Sequence, residues 1–506
     1  DSGFSAADLA WAVHNTGEAS QWFSAVLHEA RRSYAEPDGE TDLECLNAAR
    51  ILHSLASAVA RLSGESTMIM DALREAVASL HPAEREWLAS IGLEPGPDTA
   101  LETWVRCVRA HAFAYLGRTI AASGAQPGAI PVNALRKDEI VWGRAPARLD
   151  LGGGWSDTPP YSLERGGCVI NVAINLNGQA PIQAYARVIE EPVIRIASID
   201  FGDRTEIREL ADLLDYRQAD GRFSLQKAAL AMSGFSPRAA QWPPGTTLRE
   251  MLRSFGGGIE LTTLAAIPAG SGLGTSSIMA AVVLAVVRRI TGQTMTPREL
   301  FHGVLRLEQD MTTGGGWQDQ IGGVIGGMKL ITTQPGMIPD PLIHFVPSHL
   351  LGHGATGGSI LLYYTGITRL AKNILQQVVG RYLDRDRAAM KTLVGIHAFP
   401  ARVADAIARN DLPAFGRALD AAWELKKRID PGSTNDAIEA LLTHVRPYVY
   451  GAKLMGAGGG GFVLLACKSP EAAEALRRLL EERPPNDRAR FFDFTINEKG
   501  LEVTVC

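Results

Sequence analysis

At 506 residues, with 46% apolar and 21% charged side chains, the chain is long enough for about two to four domains with packed cores. Its formal charge of −5 supplies no basic surplus of the kind nucleic-acid binding needs, so no nucleic-acid partner is expected. No unbroken apolar run approaches the ~20 residues that span a bilayer, and no basic and apolar leader opens the chain, so no membrane partner is expected either.

Taken in chain order, residues 1–130 read as an α-helical or linker domain. Thr41-Asp42-Leu43-Glu44 is a capping-box pattern, and Ile51, Leu52, Leu55, Val59 and Leu62 follow at helical spacing. Packing is the plain reading of these helices; a regulatory or partner-docking role is the alternative. The segment AASGAQPGAIPVN (121–133) marks a boundary. Ile170, Val172, Ile174 and Leu176 then alternate with smaller or polar residues as in a half-buried strand. Asn177-Gly178 predicts a tight turn and 181–188 a partner strand. Further strands are expected at 193–200 and 257–267, and a buried helix at 278–292. The C-terminal part reads as strand (359–364), helices (369–383, 399–428, 434–446), strand (461–467), helix (470–483) and two short strands (490–496, 501–505). Strands and helices mix without strict alternation, which predicts an α+β fold.

Cys45, Cys107, Cys168, Cys467 and Cys506 are scattered, odd in number and without metal-type spacing. They fit a reducing, cytoplasmic setting better than a disulfide framework. The eleven histidines show no ligand spacing, so no transition metal is expected. The chain opens on Asp1 rather than methionine, which fits a segment of a longer protein.

The 52 glycines concentrate at 152–154, 256–258, 314–316 and 458–461. Clustered glycine marks backbone that turns sharply or lets something approach closely. Residues 267–277, IPAGSGLGTSS, join a strand to an apolar helix. Amide N–H groups from Gly270 to Thr275, with the positive end of that helix, suit an anion, although the lysine of a P-loop is missing. A plain flexible turn is the competing reading. Three other blocks carry charge beside glycine: APARLDLGGGWSDTPP (145–160), EQDMTTGGGWQDQIGG (308–323) and LMGAGGGGFVLL (454–465).

These blocks resemble the three signature motifs of the GHMP small-molecule kinases. The pattern P-x-R-h-[DN]-h-x-G-x-x-x-D matches Pro146 to Asp157. P-x-x-x-G-L-G-[ST]-S matches Pro268 to Ser276, and the C-terminal glycine loop matches Lys453 to Gly461. The resemblance implies a ribosomal-S5-like N-terminal lobe at 131–335 and a ferredoxin-like C-terminal lobe at 336–506. GGWSDTPP and GGGWQDQIGG resemble the L-fucokinase branch in particular. That branch implies ATP and Mg2+ as cofactors and phosphorylation of the anomeric hydroxyl of L-fucose to β-L-fucose 1-phosphate. A fused or partner nucleotidyltransferase and an oligomeric state are compatible with it. Two alternatives stay open. One is a kinase of another sugar, such as D-glycero-D-manno-heptose 7-phosphate or D-arabinose, and the other is a sugar- and ATP-binding sensor without turnover.

The resemblance also implies residue roles. Asp319 would be the catalytic carboxylate and Arg148 its cationic partner; a helix cap and a structural ion pair are the bland readings. Pro268, Gly270, Ser271, Gly272, Leu273, Gly274, Thr275 and Ser276 would bind ATP. Ser276 and Glu308 would hold the metal, with Asp310 the rival carboxylate. Trp155, Asp157, Trp317, Gly458 and Gly459 would face the sugar, the tryptophans being almost as plausible as core residues. Arg369 is a further candidate for an anion.

Overall fold

A computed structural model describes residues 5–34, 45–122, 129–217, 223–311, 315–352, 358–368 and 372–506. The capping-box residues 41–44 and Arg369 lie outside them. Helices α1 (Ala6–Thr16), α2 (Ala19–Ser33), α3 (Cys45–Arg61), α4 (Ser66–Ser79), α5 (Pro82–Ser90) and α6 (Leu101–Ala122) form a separate apolar cluster. The helical spacing read in the sequence is why: Leu52, Leu55 and Val59 fall on one face of α3 and are fully buried.

Beyond this unit come β1 (Val141–Ala145), β2 (Ala147–Gly152), α7 (Tyr161–Arg165), β3 (Cys168–Leu176), β4 (Ile182–Ile189), β5 (Ile194–Ser198) and β6 (Asp203–Ile207). They are followed by α8 (Leu210–Leu214), α9 (Ser224–Met232), α10 (Leu248–Phe255), β7 (Gly258–Ala265), α11 (Thr275–Ile290), α12 (Pro297–Asp310), α13 (Gln318–Val324), β8 (Met328–Thr332) and β9 (Leu342–Phe345). The remainder is β10 (Ile360–Tyr364), α14 (Lys372–Leu383), α15 (Arg387–Ala398), α16 (Pro400–Ala408), α17 (Leu412–Ile429), α18 (Asp436–Val445), β11 (Val449–Leu454), β12 (Phe462–Cys467), α19 (Pro470–Glu482), β13 (Arg490–Phe492), β14 (Phe494–Ile496) and β15 (Glu502–Val505).

Among the described residues the strands form three sheets. One runs β15-β1-β4-β7-β5-β6, a second β14-β3-β8-β9 with β2 also on β3, and a third β11-β12-β10-β13. Helix α11 packs against β1 and β4 and is buried along most of its length, from Ser277 to Ile290. The final strands return to the first half of the chain: β15 pairs with β1 and β14 with β3. No helix among the described residues is long and apolar enough to cross a membrane.

Two local expectations change. Asn177 and Gly178 do turn, with φ of 49° and 84°, but β3 and β4 do not form a hairpin. β3 already pairs with β2, β8 and β14, so β4 crosses to the first sheet, leaving a lone bridge between Leu176 and Gln179. The single helix expected at 399–428 is two. Asn410 takes a left-handed φ of 54° and the Asp411 side chain caps a new helix by accepting from the Ala414 N–H.

Candidate active site

The glycine loop between β7 and α11 is shaped by Gly270, Gly272 and Gly274, with φ of 68°, 75° and 76°. Side-chain-bearing residues rarely adopt such values. Gly274 is the N-cap of α11 and offers no side chain to the first turn, so the helix's leading N–H groups have no side-chain cap. The C-terminal glycine loop folds onto this turn. A Cβ on Gly272 would lie 2.5 Å from the Met455 carbonyl oxygen, and the Phe462 N–H donates to Ser271 O at 3.0 Å.

Strand β2 and helix α13 bring a charge pair to the same place. Arg148 Nε donates to Asp319 Oδ1 at 2.7 Å, its Nη2 lies 2.6 Å from the same oxygen, and Nη1 donates to Gly272 O at 2.8 Å. Arg148 is 3% exposed and Asp319 24%, so the carboxylate is the member that reaches open space. Burial opposes the guanidinium charge, but Asp319 and Asp150 outweigh it and raise the Arg148 pKa. A Cβ on Gly274 would sit 3.2 Å from both Arg148 Cγ and Asp319 Cγ, so the pair lies directly against the loop.

Three more carboxylates surround this pair. Glu308, on α12, accepts from Ser277 Oγ and from Gln320 Nε2, the latter at 2.6 Å. Burial, with the Asp319 and Asp157 charges adding to it, pushes its pKa up to about 8. Asp157 accepts the Trp155 N–H at 3.0 Å and the Gln318 N–H at 3.2 Å; burial first, then the Asp319 charge, pushes it up to about 7. Asp150 is buried beside Lys453 Nζ at 2.9 Å and Lys426 Nζ at 3.5 Å. Burial works against its ionisation, but the two ammonium groups and Arg148 hold it well below the usual carboxylate range.

One cavity of about 1200 Å³ joins these groups. Its floor is the loop from Pro268 to Ser276 with Arg148 and Asp319. One wing carries most of the apolar lining, Phe201, Phe223, Leu225, Met279 and Met311, with Asp200, Asp203 and Gln226 among them; the other holds Trp155, Asp157, Gln318, Leu375, Lys426 and Ala457. Arg148 and Lys426 are the only cations among the described lining residues.

Comparison with known proteins gives this arrangement a family. Residues 244–327 match the GHMP kinases N terminal domain, and residues 403–486 match GHMP kinases C terminal. The chain belongs to the GHMP kinases. This GHMP kinase is 44% identical over 367 residues to the L-fucokinase/L-fucose-1-P guanylyltransferase of Bacteroides fragilis, covering 72% of this chain and 39% of that protein. It is 36% identical over 346 residues to the bifunctional fucokinase/GDP-fucose pyrophosphorylase of Arabidopsis thaliana, covering 68% and 31%. The chain thus spans well under half the length of these curated relatives. A crystal structure of a D-glycero-D-manno-heptose 1-phosphate kinase, 22% identical, superposes with a TM-score of 0.52 over 72% of this chain and 98% of that one, which shows the GHMP kinase fold.

Within this GHMP kinase, Pro268, Gly270, Ser271, Gly272, Gly274, Thr275 and Ser276 line the cavity. Leu273 does not; its side chain is fully buried in the core and its carbonyl accepts the Arg148 N–H. Trp155 and Asp157 line the second wing. Trp317 is a correction: it is fully buried among Val169, Phe301, Leu305, Ile321 and Ile331, because its side chain turns into the core while the next residues turn to the cavity. Gly458 and Gly459 pack on Ser433, and Gly456 and Ala457 are the residues of that loop that line the cavity. The hydroxyl bonded to Glu308 belongs to Ser277, one residue beyond the expected Ser276, which is exposed to the cavity. Asp310 is engaged by Tyr216 and Arg217 and is not among the lining residues. Asp319 does not cap its helix: α13 begins at Gln318 with Trp317 at the cap.

Sequence reasoning did not single out Gln318, Gln320 or Lys426. The two glutamines were visible as neighbours of Asp319. Lys426 carries no local signal, since it stands in an ordinary basic helix end and only tertiary folding puts it beside Asp150.

Proposed function

We propose that this GHMP kinase transfers the γ-phosphoryl group of ATP to the anomeric hydroxyl of L-fucose. The observation that carries the reading is the Arg148–Asp319 pair lying against the glycine loop inside one cavity. The names and identities of the two fucokinase relatives support the choice of sugar. The apolar wing suits a nucleotide base, the amides of 270–276 and the α11 terminus suit the polyphosphate, and the Trp155 wing suits the sugar.

Phosphoryl transfer passes through a loose transition state, so positioning and charge stabilisation are the main demands. Asp319 accepts the hydrogen bond of the sugar hydroxyl, holds it towards the phosphorus and receives its proton as the bond forms. Arg148 holds the Asp319 carboxylate in place and offsets charge spreading onto the equatorial oxygens. Asp157 and Gln318 orient the remaining hydroxyls; Gln318 Oε1 has no protein partner among the described residues. The donor set also fits magnesium. The Asp319 and Asp157 charges both act on Glu308, and the exposed Ser276 hydroxyl is a hard oxygen lining the same cavity. Glu308 and Ser276 would hold the ion, which would supply positive charge to offset that of the phosphoryl group.

A heptose 7-phosphate as acceptor would need a second basic cluster. Arg148 and Lys426, the only cationic lining residues described, are already engaged by carboxylates, which disfavours it. A sensor without turnover is disfavoured by the intact set of Arg148, Ser276, Glu308 and Asp319. The product, a sugar 1-phosphate, suits a nucleotidyltransferase as its consumer, in keeping with the joined names of both relatives. The test is ADP release by the purified chain on L-fucose, D-arabinose and D-glycero-D-manno-heptose 7-phosphate. Turnover with L-fucose supports the reading; turnover only with the phosphorylated heptose, or none, overturns it.

A further inference from the structure

Helix α14 has two apolar stripes and two different neighbours. Val379 and Leu383, 6% and 1% exposed, belong to the core of the N-terminal helical unit. Val378 and Tyr382, one step round the helix, belong instead to the cluster of Trp155, Tyr161, Ile396 and Ile429. Leu375 packs against both clusters and lines the cavity. A single helix is therefore shared between residues 5–122 and the wing assigned above to the sugar.

Polar contacts fasten both faces. On the helical-unit side, His53 Nδ1 lies 2.8 Å from Asp384 Oδ1, Ser54 Oγ donates to Leu383 O at 2.9 Å, and the Ala6 N–H donates to Asp384 O at 3.1 Å. Gly380 lets α3 come this close, since a Cβ there would meet His53 Cε1 at 3.1 Å. Towards α7, the Tyr382 hydroxyl donates to Glu164 Oε2 at 2.6 Å and Arg385 donates to the same oxygen at 2.8 Å. Glu164 sits in α7, which follows the Trp155–Pro160 turn directly. Trp155 itself holds φ at 89°, a value that a non-glycine residue rarely adopts and that persists only when its surroundings impose it.

We infer that the helical unit 5–122 is a positioning element for the acceptor wall: through α14, with His53 and Tyr382 as its two fastenings, it holds Leu375 and Trp155 where the sugar docks. This rests on the reading that the Trp155 wing takes the sugar. Neither fastening touches the nucleotide loop, so the effect falls on the acceptor and not on ATP.

The experiment uses the full chain with His53→Ala, the conservative His53→Gln, and Tyr382→Phe. KM for L-fucose, KM for ATP and amide hydrogen exchange of the free proteins are measured. A misplacement of about 1 Å is enough for large kinetic losses, so His53→Ala is expected to raise the L-fucose KM about tenfold, with the ATP KM within about twofold. His53→Gln restores most of the loss, and amides of 154–165 exchange faster in His53→Ala. Tyr382→Phe removes one hydroxyl only and gives the same direction should His53→Ala fold poorly. The inference is overturned if both KM values are unchanged, if both rise together, or if faster exchange stays within 5–122. The exchange measurement needs no sugar, so it decides this inference even where wild-type turnover on L-fucose is absent and the substrate reading has failed by itself.

Discussion

At the scale of single residues, the site is a balance of charges in a largely buried space. Four carboxylates, Asp150, Asp157, Glu308 and Asp319, surround Arg148, Lys426 and Lys453; their surroundings push Asp150 down and Asp157 and Glu308 up. Asp157 is the one whose shift has the plainest consequence. Burial and the Asp319 charge raise it to about 7 from an ordinary 3.8. The folded chain keeps this proton to higher pH than the unfolded chain, so the site's contribution to stability is complete below 3.8 and is lost as pH rises through about 7. Where Asp157 faces the sugar, as proposed, binding runs the other way, because the ionised carboxylate is the stronger acceptor for sugar hydroxyls. The KM for L-fucose should therefore rise as pH falls below 7, by roughly tenfold per unit at the steepest. In Asp157→Asn the profile should be flat and the KM high throughout; an unchanged, pH-dependent KM in that variant would remove Asp157 from the sugar site.

At the scale of elements, the two glycine loops act as one. Gly272 combines a φ of 75° with a 2.5 Å approach of its would-be Cβ to Met455 O. Gly272→Ala should cost about 1–3 kcal/mol of stability and raise the ATP KM, because the phosphate loop and the loop after β11 can no longer nest. Chemical denaturation and initial rates read both effects, and a variant unaltered in each would separate the loops functionally. This part of the site was legible in the sequence, since glycine at fixed offsets after a strand is a backbone requirement that side chains cannot disguise. Strand and helix types were legible for the same local reason. What stayed hidden is non-local. Nothing near Asn177 announces that β3 has its neighbours already, nothing around Lys426 points to Asp150, and Trp317 has the same local setting as Trp155 yet faces the core.

At the scale of the whole molecule, Asp150 on β2 is bonded to Lys453 on β11 and Lys426 on α17, which ties the first half of the GHMP kinase fold to the second at the cavity wall. Lys453→Met should destabilise the chain by about 3–5 kcal/mol, since it leaves a buried carboxylate short of its main partner. A melting temperature equal to wild type would show that the clamp adds nothing. The returning strands β14 and β15 and the shared helix α14 serve the same end, so the cavity is walled by segments far apart in the chain.

The central claim is that Asp319, held by Arg148 against the glycine loop, does the chemistry on the acceptor hydroxyl. Steady-state kinetics of Asp319→Asn with ATP and L-fucose test it most directly. The expected result is a kcat lower by about 10²–10⁴-fold, with both KM values within a few-fold of wild type. A kcat near wild type in a folded Asp319→Asn protein would contradict it.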